Sequence, residues 1–242
     1  MPYTVPVSFD QFYNSINLSG DHRARANTRR DRLVSLLKNY FDILDAFPSG
    51  SVSRFTALRG HADVDVMVAL DYGKHIKGKR PDQVLKHVRD ALGAYETSVR
   101  RNGQAVTLKY KTWPNVDVVP ASRVSDNGAI LGYNIPDSNT GRWISTNPKA
   151  HSRDVEEASR LVGPVFRKAV KMIKWWNKAH SDYMQSYHIE VVALHAWTYA
   201  IDDMSWALTL WFDKAMELVQ NPLFHDRGLV DSYLNYHSRQ EL

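Results

Sequence analysis

A chain of 242 residues, 43% hydrophobic and 24% charged, has ordinary globular composition and can bury roughly 70% of the surface its unfolded form exposes. It contains no cysteine, which excludes a disulfide scaffold, a thiolate metal site and a cysteine nucleophile. The formal net charge of +5 favours polyanions, nucleic acids and nucleoside triphosphates alike, without separating them.

The N-terminus lacks a basic segment followed by an apolar run, and no stretch reaches the ~18 apolar residues of a membrane span. A soluble cytoplasmic protein with no membrane partner is expected. Residues 27–47 place Leu33, Leu36, Leu37, Tyr40, Phe41 and Leu44 on one helical face, predicting an amphipathic helix. Its early arginines, Arg23, Arg25, Arg29, Arg30 and Arg32, read as a solvated face or as a surface for phosphates.

Pro48-Ser49-Gly50 is expected to break that helix, and residues 64–70 read as a strand closed by Asp71-Tyr72-Gly73. A helix over 81–95 follows, with Pro81 suited to its first turn. Strands over 105–111 and 116–119 flank Trp113-Pro114-Asn115. Residues 121–149, studded with Gly, Pro, Asn, Asp and Ser, read as a long loop crossing between lobes. Helical patterns then run over 155–179, 186–201 and 206–219. The expected organisation is an α+β lobe over 1–150 and a helical lobe over 151–242, with the active site in a cleft between them.

Chemistry concentrates in GSVSRFTALRGHADVDVMVAL, residues 50–70. Strand alternation puts Asp63 and Asp65 on one face, and Val64, Val66, Val68 and Leu70 on the other. Two carboxylates on an otherwise apolar strand are costly to bury unless paired or bound to cations. Side chains two apart stand ~7 Å apart at their bases. Their oxygens can converge on a pair of divalent ions, for which Mg²⁺ or Mn²⁺ suits hard oxygen ligands. Asp117, between Val116 and Val118, supplies a third carboxylate if its strand lies alongside, as metal ligand or as proton acceptor. Upstream, Gly50 and Ser51 form a turn whose amides and hydroxyl can meet phosphate oxygens. In the loop between, Thr56 reads as a local capping hydroxyl, and Arg54 and Arg59 as contacts to phosphate or solvent.

The Gly-Ser turn, the alternating Asp63/Asp65 strand and Asp117 in NVDVVP resemble the pattern of polymerase β-like nucleotidyltransferases. INLSGDHRARANTRRDRL, WISTNPKAHS and IKWWN…SYHIEVVALHAW extend the resemblance over nearly the whole chain to the bacterial cGAS/DncV-like nucleotidyltransferases (CD-NTases, SMODS group) of CBASS anti-phage systems. That resemblance implies a mixed sheet with helices plus a helical lobe, and a two-metal reaction joining NTPs, ATP among them, into a cyclic or linear oligonucleotide messenger. It also implies a downstream effector that answers the product and an activating nucleic acid or regulatory protein. On the matching positions, Lys174 reaches the donor phosphates, Ser186 contacts them, and Tyr187 stacks on the donor base.

In the basic row Arg167, Lys171, Lys174 and Lys178, Arg167 and Lys178 read as solvated. His61, His151, His188 and His195 show no metal-ligand spacing and receive no chemistry, and Glu190 is expected to hold its helix in place. Two other readings stay open: nucleotide transfer to tRNA, protein or a small molecule, and a non-catalytic nucleic-acid-binding module using the arginine-rich helix.

Overall fold

A computed structural model describes residues 4–18, 20–61, 63–93 and 99–218. In chain order the elements are α1 (Val5–Ile16), α2 (Gly20–Leu37), β1 (Ile43–Ser49), the single-turn α3 (Gly50–Ser53), β2 (Val64–Leu70) and α4 (Pro81–Gly93). They continue as β3 (Val99–Asn102), β4 (Ala105–Leu108), β5 (Val116–Asp126), β6 (Ala129–Asp137) and β7 (Arg142–Thr146). Four helices complete the order: α5 (Pro148–Val162), α6 (Val165–Ala179), α7 (Ser186–Ala196) and α8 (Met204–Leu218). The fold is α+β with a mixed sheet, and no described helix is long and apolar enough to cross a membrane.

Two compact units form. Among the described residues the sheet unit holds 20–53 and 63–149, and the helical unit holds 4–18, 54–61 and 150–218. The units are interleaved in sequence: α1 and the segment 54–61 group with the residues from 150 onward.

In the sheet unit the strands run β1-β2-β5-β4-β3, with β6 on β5 and β7 on β6. Among the described strands, only β2 and β5 pair in parallel; the other pairings are antiparallel. Val66, Val68, Val106, Leu108, Val116 and Val118 turn to one face and pack with Leu33 and Leu37 of α2 and with Val84, Leu85 and Val88 of α4. The opposite face carries Met67, Ala69, Ala121, Tyr133 and Ile135. β2 is thus apolar on both sides along most of its length, as expected for a strand paired in parallel inside a sheet.

Two expectations are corrected here. The helix expected over 27–47 ends at Leu37, and residues 43–49 form β1, antiparallel to β2. Pairing of Phe47 with Met67 and of Ala46 with Val68 outweighs a helical spacing that local sequence also permits. Pro48 is tolerated because β1 lies at the sheet edge. The expected long loop over 121–149 is largely strand. Asn127 and Gly128, both at positive φ, make the two-residue turn joining β5 to β6, a turn type that Asn-Gly favours. The Asp137 carboxylate accepts from the Asn139 amide at 2.9 Å and the Thr140 hydroxyl at 2.8 Å, closing the next turn onto β7.

The helical unit is built around Phe166, Ile173, Ile189, Val192, Trp197 and Trp211. The Trp197 indole donates to the Ala207 carbonyl at 2.9 Å and Trp211 donates to that of Ile189 at 3.1 Å, so both buried rings have their polar atom satisfied. The expected single helix over 155–179 is two helices, because Gly163 takes a left-handed φ of 92° and Pro164 opens the next. Phe9, Phe12 and Tyr13 of α1 pack on Ile16, Leu58 and Met172. The ends expected at Tyr95 and Val219 lie outside the described residues.

Candidate functional site

Four strands place one residue each on a single row across the sheet. Register pairs Ser49 of β1 with Asp65 of β2, Asp65 with Asp117 of β5, and Asp117 with Thr107 of β4. Directly paired residues point to the same side, so Asp65 and Asp117 are neighbours on one face. Asp63 immediately precedes β2, whose first amide bonds the Asn115 carbonyl at 3.0 Å. The alternation that buries Val64, Val66, Val116 and Val118 on the helix-covered face delivers the carboxylates to the other.

The electrostatics of this row are unresolved within the protein. Burial pushes the Asp117 carboxyl up from its ordinary range; a hydrogen bond from Thr107 opposes the shift and the nearby Asp63 charge reinforces it. Asp117 Oδ1 is buried and has no hydrogen-bond partner. Such an orphaned carboxylate oxygen, beside a second carboxylate in register, is a donor set of the kind that hard divalent cations satisfy. The acids fit a divalent ion chemically. No three His, Cys, Asp or Glu side chains among the described residues are arranged to hold one metal ion, however.

Gly50 abuts this row. Its φ is +70°, and a Cβ built there would lie 1.6 Å from Asp65 Oδ2, so any other residue would both strain the backbone and displace the carboxylate. Ser51, half-buried in the α3 turn, follows it. In the same turn Ser53 donates to the Gly50 carbonyl at 2.8 Å.

Of the arginines on α2, Arg29 is committed internally. It donates to the Thr112 carbonyl and hydroxyl, each at 2.7 Å, and to the Pro114 carbonyl, and stands 4.1 Å from the Tyr110 ring centroid.

The helical unit contains the remaining expected residues, and their settings differ. Ser186, exposed, is the first residue of α7, and Tyr187 is half-buried with its ring 4.6 Å from that of His151. Lys174 is only 3% exposed: its ammonium donates to Glu190 Oε1 at 2.6 Å and to the Thr56 hydroxyl at 3.2 Å. In this arrangement the Lys174 ammonium therefore stands on a buried carboxylate. Lys171 is buried as well, bonding Asn17 at 2.6 Å, and half-buried Arg167 bonds Glu156 and the Arg54 carbonyl. The basic row of α6 therefore turns inward at three of its four positions.

Sequence reasoning gave the centre of this cluster a holding role but none of its partners. Glu190, fully buried, accepts from Arg54 Nε at 2.7 Å and from His151 Nε2 at 2.8 Å on Oε2, and from Lys174 and the Thr56 hydroxyl on Oε1. Burial pushes its carboxyl up, but Arg54, Lys174 and the His151 hydrogen bond outweigh that and hold it well below the usual range. Burial lowers the pKa of His151; the Glu190 hydrogen bond and charge oppose the shift, and the Arg54 and Lys174 charges add to it, so the ring donates to Glu190 with its net shift downward. The one local signal was an acid inside the apolar run HIEVVAL of α7.

The sequence profile of the Second Messenger Oligonucleotide or Dinucleotide Synthetase domain, SMODS, matches residues 3–158. A probable cyclic nucleotide synthase of Bacillus cereus is 24% identical over 236 residues, covering 80% of this chain and 71% of the relative. A cyclic AMP-AMP-AMP synthase of Acinetobacter is 33% identical over 165 residues, covering 63% of this chain and 45% of the relative. The chain spans about half the length of the curated cyclic AMP-AMP-AMP synthases it matches.

Among solved structures, Escherichia coli CdnC with ATP superposes with a TM-score of 0.70 at 21% identity, over 90% of this chain and 74% of that one. The Bradyrhizobium diazoefficiens CD-NTase CdnG with GTP gives 0.74 at 15% identity, over 90% and 78% respectively. These likenesses establish the nucleotidyltransferase fold. With the profile covering more than half of the sequence, the chain belongs to the SMODS family of second-messenger nucleotidyltransferases.

Proposed function

We propose that the protein joins nucleoside triphosphates, ATP among them, into a cyclic or linear oligonucleotide messenger. The observation that carries this reading is the register row Ser49–Asp65–Asp117, abutted by a glycine that no other residue can replace. Asp63, Asp65 and Asp117 would hold two divalent cations, Mg²⁺ or Mn²⁺. When bound, such ions supply neutralisation of the charge on the reacting phosphates.

The residues of this chain then have separate tasks. Gly50 leaves room for the Asp65 carboxylate, and the Ser51 hydroxyl and neighbouring amides donate to the phosphate oxygens of the donor triphosphate. Asp117 accepts the proton of the acceptor ribose hydroxyl or helps hold the cation beside which that proton is lost. That oxygen attacks the donor α-phosphorus, and pyrophosphate leaves. Tyr187 stacks on the donor base, a contact worth about 1–3 kcal/mol that tolerates several bases, and Ser186 contacts the phosphates. Lys174 serves as a partner of Glu190. Positioning and charge neutralisation dominate, as is general for phosphoryl-group chemistry.

The relatives named for cyclic nucleotide synthesis support repeated transfer with ring closure. One E. coli neighbour is described in complex with a HORMA protein; a regulatory protein partner, and an effector responding to the product in anti-phage signalling, are the corresponding proposals here. Incubation with the four radiolabelled NTPs tests the reaction. Phosphatase-resistant small products, identified by mass spectrometry and absent in Asp65→Ala, support it. Label transferred only to tRNA, to protein or to a small-molecule acceptor, or no turnover under any divalent metal, contradicts it.

A further inference from the structure

We infer that Glu190 is a positioning residue for nucleotide binding, acting through His151 on the ring of Tyr187. The inference rests on the proposal above that Tyr187 stacks on the donor base. Glu190 lies one helical turn after Ser186 and Tyr187 on α7. Its two oxygens meet four donors from three other segments: Arg54 and Thr56, His151 of α5, and Lys174 of α6. A carboxylate with every strong acceptor direction occupied has one orientation, and so do the groups that donate to it.

The link to Tyr187 is direct. His151 donates to Glu190 Oε2 at 2.8 Å, and the centroid of the same imidazole lies 4.6 Å from that of the Tyr187 ring, the two planes tilted by 53°. With Arg54 and Lys174 on the same carboxylate, the imidazole stays neutral and keeps a single hydrogen-bonding role. Arg54 and Lys174 also face His151 across Glu190, so no second acid competes for its proton among the groups that set its charge. Because α6, α5 and residues 54–56 converge on one side chain, substitution at Glu190 is transmitted to all of them, and the His151 branch ends on the half-buried ring of Tyr187.

Glu190→Gln offers one acceptor oxygen where two are used, and turns an NH₂ toward Arg54 and His151 or toward Lys174 and Thr56. His151→Phe keeps an aromatic partner for Tyr187 but removes the bond to Glu190. Binding of a non-hydrolysable ATP analogue to the full chain is measured by titration for wild type, Glu190→Gln, His151→Phe, Tyr187→Ala and the double variants carrying Tyr187→Ala, with thermal unfolding recorded alongside. The expected result is a Kd raised about tenfold by Tyr187→Ala and about tenfold by Glu190→Gln, with a smaller rise for His151→Phe. In the Tyr187→Ala background the other two substitutions add less than twofold.

A fall in unfolding temperature with Kd unchanged in Glu190→Gln and His151→Phe overturns the inference, as does full additivity with Tyr187→Ala. If Glu190→Gln fails to fold, His151→Phe alone decides by the same criteria. Should Tyr187→Ala leave Kd unchanged, the stacking proposal itself fails and the inference falls with it; an effect of Tyr187→Ala without one of Glu190→Gln or His151→Phe defeats the inference only.

Discussion

The sheet unit buries one oxygen of a half-buried carboxylate and the helical unit buries a carboxylate whole, and they treat them in opposite ways. Glu190 is met by four donors and its pKa is driven down. Asp117 keeps one oxygen without a partner, and its pKa is driven up. A buried charge that its own protein satisfies is scaffold, since removing it exposes its partners to the same desolvation cost. One left incomplete costs stability unless something from outside completes it, and such groups gather where chemistry is done. The difference assigns reaction to the β2–β5 row and support to the α7 cluster.

The sharpest way to break that assignment is to neutralise each acid in turn. Asp117→Asn is expected to abolish nucleotide transfer by about 10³-fold while leaving thermal stability equal or slightly higher, because a like charge is removed from Asp63. Activity assays on radiolabelled NTPs, paired with unfolding curves, check both halves. Glu190→Ala should do the reverse in kind. It strands Arg54 and Lys174 without their anion and should cost about 3–5 kcal/mol of stability, read from denaturant midpoints.

A smaller effect tests whether Gly50 belongs to the reactive row. Gly50→Ala places a Cβ against Asp65 at positive φ and should lower activity about 100-fold through displacement of that carboxylate, with a stability loss of about 1–3 kcal/mol. Activity near wild type would detach the glycine from the chemistry.

The smallest effect sharpens the account of the helical unit. His188 is buried on α7 with neither ring nitrogen bonded, and burial lowers its pKa to about 4. An imidazole whose folded pKa lies below its unfolded value of 6.5 takes up a proton more readily once unfolded. Its contribution is therefore fully present above pH 6.5 and declines as pH falls from there toward 4. Between pH 7.5 and 5 the loss should be about 2 kcal/mol. His188→Met should flatten that slope in urea unfolding measured across the same interval; an unchanged slope would place the acid sensitivity elsewhere.

How far the sequence could be read follows from how local each feature is. Asp63, Asp65 and Asp117 were visible because strand alternation is a two-residue pattern, and each acid interrupts a run of valines. β1 was hidden because Phe41, Leu44 and Phe47 satisfy a helical spacing as well as a strand, and only pairing with β2 decides between them. Turn residues at 127–128 and 139–141 marked hairpins that a composition-based reading merges into one loop. The Glu190 cluster could not be read at all from spacing, since its bonds to Arg54, Thr56 and His151 span 136, 134 and 39 residues. The contact of Lys174 with Glu190 was equally hidden, because nothing in a helical repeat reveals which buried acid a lysine will meet.

Manganese binding tests the reactive row most directly. Titration of the full chain with Mn²⁺ in the presence of a non-hydrolysable ATP analogue, followed by the paramagnetic signal of free metal, should show saturable uptake in the wild type that weakens at least about tenfold in both Asp65→Asn and Asp117→Asn. Isotherms that superpose across the three proteins, each shown to be folded, would contradict the assignment of these carboxylates to the metal and leave the row without its chemistry.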